Sequence, residues 1–246
     1  MNHWVFDLGN TRLKAAPLDN GGRVGEVVAI AHDSADFGAE IARQLPGSID
    51  VAYLASVAAD DVRVAVLQAL STRCRRIAIA RTTRRWGGLR IAYAEPTRLG
   101  VDRFLAMLAV QAGITGPALV CGVGTALTID LLDADGRHRG GRIAPSPTLM
   151  REALHRRAMQ LPIEGGHYRE FADDTVDALA SGCDGAALGL VERSLAGARR
   201  ELGTAATLVL HGGGASGLAD RLPSARLVPT LVLDGLAHWA SFDWRG

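Results

Sequence analysis

The sequence predicts an α/β protein of two similar domains, each a mixed sheet flanked by helices. In the first hundred residues, three consecutive strand patterns are followed by alternating strand and helix patterns, which is typical of such a sheet. The plan then restarts near residue 113, because residues 119–132 repeat the strand, Gly-Thr turn and strand of residues 4–18. A chain of 246 residues is long enough for two domains of about 120 residues each. We therefore expect an N-terminal domain over residues 1–113 and a C-terminal domain over residues 114–246.

The elements of the first domain follow from its apolar spacing and its turn residues. Compact apolar runs predict strands over residues 4–6, 13–18, 24–30, 51–55 and 77–80. Helical spacing predicts helices over residues 36–45, 60–74 and 104–112. We expect Asp60 to cap the second of these helices, and Asp102 and Arg103 to lie in the first turn of the third.

The second domain continues in the same way after its repeated hairpin. Strands are expected over residues 119–123, 126–132 and 207–210, and helices over about a dozen residues from Pro147, over 174–202 and over 230–242. At the start of the long helix, Thr175 is either an N-cap or a ligand contact, and the cap is favoured. The glycine-rich run at 211–217 matches G-x-G-x-x-G, but only 29 residues follow it, too few for a dinucleotide-binding fold. We expect a turn whose backbone meets the flat face of a base or sugar.

Composition excludes several classes of protein. The formal net charge of +1 gives no reason to expect nucleic acid or an anionic membrane as a partner, and the seven arginines between residues 73 and 90 are expected to be solvated. The N-terminus lacks the pattern of a signal peptide, and the longest apolar stretch, 118–132, contains glycines, threonines and an aspartate. Three cysteines without CxxC spacing do not suggest a disulfide framework. These features predict a cytoplasmic protein with no nucleic-acid or membrane partner.

The stretch from Asp7 to Lys14 has the residues of a phosphate-binding hairpin. Gly, Asn and Thr between two strands turn the chain sharply and present N–H and hydroxyl donors. The carboxylate of Asp7 is suited to a divalent ion that bridges nucleotide phosphates, and Lys14 can add a positive charge to the same phosphates. An ordinary hairpin with a surface lysine is the alternative, since such turns are common.

A second candidate site lies where the helix over 104–112 begins. Asp102 is placed to act as a general base and Arg103 to bind an anionic group of a small polar ligand. The alternative for Asp102 is structural, because a carboxylate in the first turn of a helix interacts favourably with the helix dipole.

Taken together, five motifs in order resemble type III pantothenate kinase, also known as the Bvg accessory factor family, of the acetate and sugar kinase/Hsc70/actin superfamily. They are D-x-G-N-T-x-x-K at 7–14, G-x-D-R at 100–103, G-T-A-x-T-x-D at 124–130, G-G-x-I-x-P at 140–145 and T-x-x-A-x-x-x-G at 175–182. The resemblance implies two ribonuclease-H-like domains of the actin-like ATPase fold. It implies ATP-dependent phosphorylation of pantothenate to 4'-phosphopantothenate, the first step of coenzyme A biosynthesis. It also implies a homodimer whose active site takes residues from both subunits.

The same resemblance assigns roles to residues. Asp102 would take the proton from the hydroxyl of pantothenate as it attacks the γ-phosphorus, and Asp7 would lie near the magnesium ion that accompanies ATP. The residues expected to bind ATP are Asp7, Leu8, Gly9, Asn10, Thr11, Arg12, Leu13, Lys14 and Thr125. Those expected to bind pantothenate are Tyr93, Gly100, Val101, Asp102 and Arg103, with Thr175 from the partner subunit.

The sequence departs from the family's pattern at a few positions. Gly122 stands where the family usually has an aspartate associated with a monovalent cation, K⁺ or NH₄⁺, so we predict that this cation site is weak or absent. Ser146 replaces a glycine and is followed by Pro147, which alters the freedom of that loop. Asp174 stands where Asn is common and His211 where Thr is common.

Two other functions remain open at this stage. A nucleotide-binding regulatory protein of the same fold, with weak or no turnover, is suggested by Gly122 and by the altered loop at 145–147. A sugar or acetate kinase of the same superfamily is disfavoured by the short chain and by the G-x-D-R segment at 100–103.

Overall fold

The computed structural model describes residues 2–32 and 37–242, and these form two compact units. The first contains the described residues up to Ile114 together with those from Thr230 onward, and the second runs from Thr115 to Pro229. Across both units, the strands are β1 (His3–Leu8), β2 (Arg12–Leu18), β3 (Val28–Ala31), β4 (Ile49–Ser56), β5 (Cys74–Ile79), β6 (Arg85–Trp86), β7 (Leu89–Arg90), β8 (Ala118–Val123), β9 (Ala126–Leu132), β10 (His138–Pro145), β11 (Thr207–His211) and β12 (Arg226–Leu227). The helices are α1 (Phe37–Gln44), α2 (Asp60–Ser71), α3 (Val101–Gly113), α4 (Pro147–Arg157), α5 (Thr175–Leu202), α6 (Ala215–Ala219) and α7 (Leu231–Ser241).

Each unit contains a five-stranded mixed sheet, and the two sheets have the same plan. The first has the order β3-β2-β1-β4-β5, with antiparallel pairs among β1, β2 and β3 and parallel pairs among β1, β4 and β5. The second has the order β10-β9-β8-β11-β12, with the same alternation of antiparallel and parallel pairs. The predicted α/β class and the repeated plan are therefore confirmed. We call β1–β2 the first hairpin and β8–β9 the second hairpin.

Successive side chains of β1 and β8 point alternately to two opposite faces of each sheet. Phe6 and Leu8 of β1 lie fully buried in the core that includes α1 and α2. At the corresponding positions of β8, Cys121 and Val123 are buried in a core that includes α5. Residues between them in sequence point to the opposite face, because successive side chains of a strand alternate. Asp7 in β1 and Gly122 in β8 are thus equivalent.

The C-terminal helix differs from the predicted domain division. Residues from Thr230 onward, expected in the second domain, belong to the first compact unit. Helix α7 packs on α3, and Gly235 makes the close approach possible, since a Cβ there would lie 1.9 Å from the carbonyl oxygen of Leu105. Trp239 extends this packing to the sheet by an edge contact with Tyr53.

Several local predictions are also corrected. Helix α2 begins at Asp60, but its N-cap is Ala59 and makes no side-chain cap, so Asp60 lies in the first turn instead. The third predicted strand begins only at Val28, and Val24 forms an isolated bridge with Leu18. Residues 140–145 precede helix α4 as expected, but they belong to a strand that was not predicted, β10 at the edge of the second sheet. Residue 36, the predicted start of α1, lies outside the described residues.

Candidate active site

The first hairpin brings opposite charges together at the end of β1. Asp7 lies directly opposite Lys14 in the antiparallel pair, so the two side chains share one face of the sheet. Ala55 of β4 flanks Asp7 on its other side in the parallel pair. This neighbour is small and apolar. A partly buried carboxylate and a partly buried ammonium group therefore lie on the same face of the first sheet.

The loop of the first hairpin is exposed and is held by the residue after β3. The Gly9 amide donates to the Arg12 carbonyl oxygen over 3.1 Å, which closes the turn. The His32 ring nitrogen Nε2 lies 3.1 Å from the Gly9 carbonyl oxygen, so it must carry the donated proton. Asn10 and Thr11 are exposed, as a ligand-binding turn requires.

Not every residue of the predicted ATP-binding stretch offers its side chain to a ligand. Leu8 and Leu13 are fully buried in the core behind the hairpin. Only their backbone can contact a nucleotide. The exposed or half-buried side chains of the stretch are Asp7, Asn10, Thr11, Arg12 and Lys14.

Asp102 lies in the first turn of α3 and interacts electrostatically with Asp7. Burial of its carboxyl group and, to a smaller extent, the charge of Asp102 raise the pKa of Asp7 to about 7, against the opposing effect of Lys14. Two neighbouring carboxylates in a partly buried site are typical of positions that bind cations or move protons. The structure therefore brings two of the predicted site residues together within the first unit.

The G-x-D-R segment has a steric reason for its glycine. A Cβ on Gly100 would lie 2.5 Å from the Oδ1 atom of Asp102, so the carboxylate occupies the space of any side chain at position 100. Gly100 is the N-cap residue of α3 and makes no side-chain cap. The glycine thus allows Asp102 to turn back over the start of its own helix.

Arg103 is buried, with only 6% of its surface exposed, and is directed at Tyr93. Its Nη1 donates to the Tyr93 hydroxyl oxygen over 3.4 Å, and its guanidinium carbon lies 6.0 Å from the centre of the Tyr93 ring. Two residues predicted to bind pantothenate are therefore in contact, and both belong to the first unit. Val101, between Gly100 and Asp102, is half-buried at the first position of α3.

The second hairpin exposes Thr125 at its turn and is held by Ser146. The Ser146 hydroxyl donates to the Thr125 carbonyl oxygen over 3.0 Å and accepts from the Leu149 amide over 3.2 Å, so it caps α4 as well. Pro147 occupies the first helical position, where a missing N–H costs nothing. Sequence reasoning treated this loop as a departure and missed the cap, although Ser before Pro at a helix start is a known cap signal.

The two hairpins are held in the same way. His32 follows β3 and Ser146 follows β10, and these are the equivalent edge strands of the two sheets. Each side chain donates to a loop carbonyl of the neighbouring hairpin. Neither residue was predicted from the sequence, because the contact depends on strands that meet only in the folded sheet.

Gly122 leaves room for His211. The two residues are paired in the parallel ladder of β8 and β11, and Gly122 is opposite Thr128 in the second hairpin. A Cβ on Gly122 would lie 2.8 Å from His211 Nε2 and 2.8 Å from Thr128 Oγ1. No carboxylate can extend from this position while the imidazole stays in place.

Thr175 is the first residue of α5 and is exposed, and the cap belongs to its neighbour. The Asp174 side chain accepts from the Val176 and Asp177 amides over 2.8 and 2.9 Å. The predicted cap at Thr175 is therefore wrong, and its hydroxyl is not used for capping. Asp177 orders the preceding loop by accepting from the His167 amide and Arg169 Nε, both over 2.8 Å.

An apolar groove lies between α4 and α5, with a volume of about 730 Å³. Its lining includes Leu149, Leu154, Leu179 and Cys183. Leu154 has 44% of its surface exposed, and Val176 near the start of α5 has 39%. We call this feature the α4–α5 groove.

Asp130, the last residue of the G-T-A-x-T-x-D motif, has a structural role. It accepts from His138 Nε2 over 2.9 Å, and both residues are almost fully buried. This buried pair joins two neighbouring strands of the second sheet, so it supports the second hairpin from within the fold.

The chemistry of Asp7 and Asp102 fits a magnesium ion that accompanies a nucleotide. Among the residues that the structure describes, no group of three or more His, Cys, Asp or Glu side chains could hold a metal ion by itself. Mg²⁺ commonly uses one or two carboxylates and completes its ligands with phosphates and water. A divalent ion near Asp7 would also favour the ionised form of a carboxyl group whose pKa is raised.

No helix in residues 2–32 and 37–242 is long and apolar enough to cross a membrane.

Comparison with known families identifies the family of the chain. A model of type III pantothenate kinase matches residues 4–196. The type III pantothenate kinase of Stenotrophomonas maltophilia strain K279a is 56% identical over 240 residues, which cover 98% of this chain and 98% of that one.

Comparison with solved structures shows the fold. A Baf family protein of Campylobacter jejuni has a TM-score of 0.66 at 17% identity, covering 99% of this chain and 100% of that one. The activator of the 2-hydroxyisocaproyl-CoA dehydratase of Clostridium difficile, with ADPNP bound, has a TM-score of 0.51 at 12% identity, covering 100% of this chain and 96% of that one. These likenesses show that the chain has the actin-like fold, with two mixed sheets flanked by helices, that the family resemblance implied.

Proposed function

The chain belongs to the type III pantothenate kinase family, whose activity is the first step of coenzyme A biosynthesis, and we propose that Asp7 and Asp102 form its reaction centre. The observation that carries the proposal is the electrostatic interaction of these two carboxylates in the first unit. Asp7 lies opposite Lys14 in a hairpin suited to binding phosphate. Asp102 lies at the start of α3, the helix that also carries Arg103. This is the division between cation binding and proton transfer that phosphoryl transfer needs.

The first hairpin binds the phosphates of ATP in this proposal. Backbone amides of the Gly9–Thr11 turn donate to phosphate oxygens, and Lys14 adds positive charge. Asp7 is the protein ligand for Mg²⁺, and Thr125 of the second hairpin contributes its exposed hydroxyl. Magnesium, when bound, neutralises the negative charge that develops on the transferred group.

Asp102 acts as the general base for the hydroxyl of pantothenate. Its carboxylate accepts the proton while the oxygen attacks the γ-phosphorus in line with the leaving ADP oxygen. Arg103 binds the carboxylate of pantothenate, because a guanidinium pairs well with a planar anion. Tyr93, which contacts Arg103, positions that guanidinium and lines the same site.

A homodimer completes the site. The α4–α5 groove is apolar and open, and exposed Leu154 lines it, so it offers an apolar surface to a protein partner. We assign a second copy of the chain to this groove, with the exposed Thr175 of each subunit reaching pantothenate in the other. Replacement of Leu154 by Glu is expected to give a monomer in light scattering and to weaken pantothenate binding.

The remaining features of the proposal follow from the sequence and the site. ATP and Mg²⁺ are the required cofactors, and K⁺ or NH₄⁺ is dispensable because Gly122 offers no carboxylate. We also propose that the protein acts in the cytoplasm.

Purified protein incubated with ATP, Mg²⁺ and pantothenate tests the proposal directly. Formation of 4'-phosphopantothenate, measured by mass spectrometry, is expected without added K⁺ or NH₄⁺. Absence of product at every concentration of these cations would overturn it.

A regulatory protein that binds ATP without turnover is the second candidate, and Gly122 is the observation that favours it. The two functions differ in one measurement. ATP binding without product formation in wild type, unchanged by Asp102→Asn, would support regulation.

A further inference from the structure

Position 122 and His211 form a matched pair in the second sheet. A Cβ on Gly122 would lie 2.8 Å from His211 Nε2, 3.0 Å from His211 Cε1 and 2.8 Å from Thr128 Oγ1. Side-chain atoms do not approach so closely without one of them moving. The imidazole of His211 therefore occupies the space in which any side chain at position 122 would begin.

At the corresponding position of the first sheet, the polar residue and the small residue lie on the opposite strands. There the strand of the hairpin carries the polar side chain, Asp7, and the parallel neighbour β4 carries the small Ala55. In the second sheet the strand of the hairpin carries the small Gly122, and the parallel neighbour β11 carries the polar His211. Within the parallel pair, each sheet thus places one polar side chain at this register, but the two sheets take it from different strands.

The backbone on both sides of His211 fixes its position. The ladder pairs it with Gly122, and the next residue, Gly212, has φ +95°, with its Cα so close to β8 that a Cβ would lie 2.4 Å from the Val123 carbonyl oxygen. The Gly214 amide donates to the same carbonyl oxygen over 3.0 Å. The chain after His211 is therefore held tightly against the end of β8, and the ring is directed by a fixed backbone.

These residues do not fit the monovalent cation that the family resemblance associates with this position. Such a cation needs oxygen ligands, and position 122 has no side chain to supply one. The space next to its Cα holds an imidazole, which donates a hydrogen bond and, when protonated, repels a cation.

We propose that His211 replaces the monovalent cation, with its imidazole N–H donating a hydrogen bond to a phosphate oxygen of ATP beside the second hairpin. This rests on the proposed kinase function. An N–H donor serves the same negatively charged oxygen as a bound cation would, and it needs no ion from solution. Glycine at position 122 is then required because a side chain there would displace the ring.

The first test measures turnover and the affinity for Mg·ATP, by calorimetry, in buffers whose only monovalent cation is Na⁺ or K⁺. Wild type is expected to behave the same in both. His211→Thr is expected to weaken nucleotide affinity by roughly 10- to 100-fold, the usual effect of losing a hydrogen bond to a charged group. His211→Gln keeps an N–H donor and is expected to recover a large part of the loss.

A double-mutant cycle tests the matched pair. Gly122→Ala is expected to weaken nucleotide affinity as His211→Ala does, and the double variant to lose no more than either, because all three remove the same contact. Gly189→Ala, in the middle of α5 with no atom within 4 Å of the added Cβ, is the control and should leave the affinity unchanged. Additive losses from Gly122→Ala and His211→Ala would overturn the pairing.

Reconstruction of the cation site is the last test. The combination of Gly122→Asp with His211→Thr is expected to bind nucleotide and turn over only when K⁺ is present. If the wild type is active and K⁺ accelerates it as strongly as it accelerates this double variant, then His211 does not replace the cation, and the kinase function still stands. A wild type with no turnover in any buffer would instead overturn the kinase function. Thermal unfolding without nucleotide identifies any variant that has lost its fold. If the other variants have, the nucleotide affinity of His211→Gln relative to wild type tests the proposal.

Discussion

The two hairpins occupy equivalent places in two sheets of the same strand order, yet they differ in charge. The first pairs Asp7 with Lys14, whereas the second pairs Gly122 with Thr128 at the same register. Their buried faces, by contrast, are alike, since Phe6 and Leu8 in β1 correspond to buried apolar residues in β8. The core constrains these apolar residues, whereas positions 7 and 122 point to the opposite face and differ between the two sheets. The first sheet carries a carboxylate on its hairpin, and the second carries an imidazole on the strand beside its hairpin.

The largest expected effect tests the assignment of the base to the first unit. Asp102→Asn is expected to lower kcat by about 10²- to 10⁴-fold, the usual contribution of a general base, while thermal unfolding stays nearly unchanged. The matched control is Asp61→Asn, which replaces an exposed carboxylate in the first turn of α2. If Asp102→Asn leaves kcat unchanged and lowers the melting temperature as much as Asp61→Asn does, then Asp102 only interacts with the helix dipole.

Asp7→Asn tests whether the charge of the first hairpin costs stability. The pKa of Asp7 is raised from 3.8 to about 7 in the folded protein, so the unfolded chain releases the proton first as pH rises. The wild type therefore loses stability between about pH 4 and pH 7, and the asparagine variant does not. At pH 8 the variant is expected to be more stable by up to about 4 kcal/mol and to have lost turnover.

Urea unfolding at several pH values checks this prediction, and Asp50 gives a control of opposite sign. A hydrogen bond from the Asn2 amide lowers the pKa of Asp50, so Asp50→Asn should destabilise the protein once pH exceeds the usual range for aspartate. A stability difference between Asp7→Asn and wild type that does not change with pH would contradict the proposed charge effect.

Gly100→Ala has a smaller expected effect and acts on the position of one carboxylate. The added Cβ would lie 2.5 Å from Asp102 Oδ1, so this flexible side chain must move and the fold can be kept. We expect kcat to fall roughly 10- to 100-fold, as for a misplaced catalytic group, with little change in the melting temperature. Gly113→Ala at the other end of α3, where no atom lies within 4 Å of the new Cβ, should be close to wild type.

The sequence was sufficient to predict the features that depend on local pattern. Apolar alternation and turn residues placed most strands within a few residues, and the repeated hairpin predicted the duplicated sheet. Asp7 and Asp102 were identified because carboxylates next to Gly-containing turns are chemically distinctive, and the structure shows that they interact.

Contacts between distant segments could not be predicted in this way. The position of α7 depends on Gly235 meeting the backbone of α3, and nothing in the local sequence of α7 identifies that partner. Strand β10 contains adjacent glycines at 140 and 141, which weaken its strand pattern until an edge position in the sheet supplies its hydrogen bonds. The relation of Gly122 to His211 likewise appears only when β8 and β11 are paired.

The smallest expected effects concern the two side chains that hold the hairpin loops. His32→Phe and Ser146→Ala each remove one hydrogen bond to a loop carbonyl, so each is expected to raise the KM for ATP by about 2- to 10-fold. The two variants should differ in stability, because Ser146 also caps α4 and a lost cap costs about 1 kcal/mol, whereas His32 caps no helix. His32→Gln and Ser146→Thr keep a donor and should restore most of the affinity. If only the His32 variant affects the KM, the second hairpin contributes little to nucleotide binding, and the two hairpins differ in function as well as in charge.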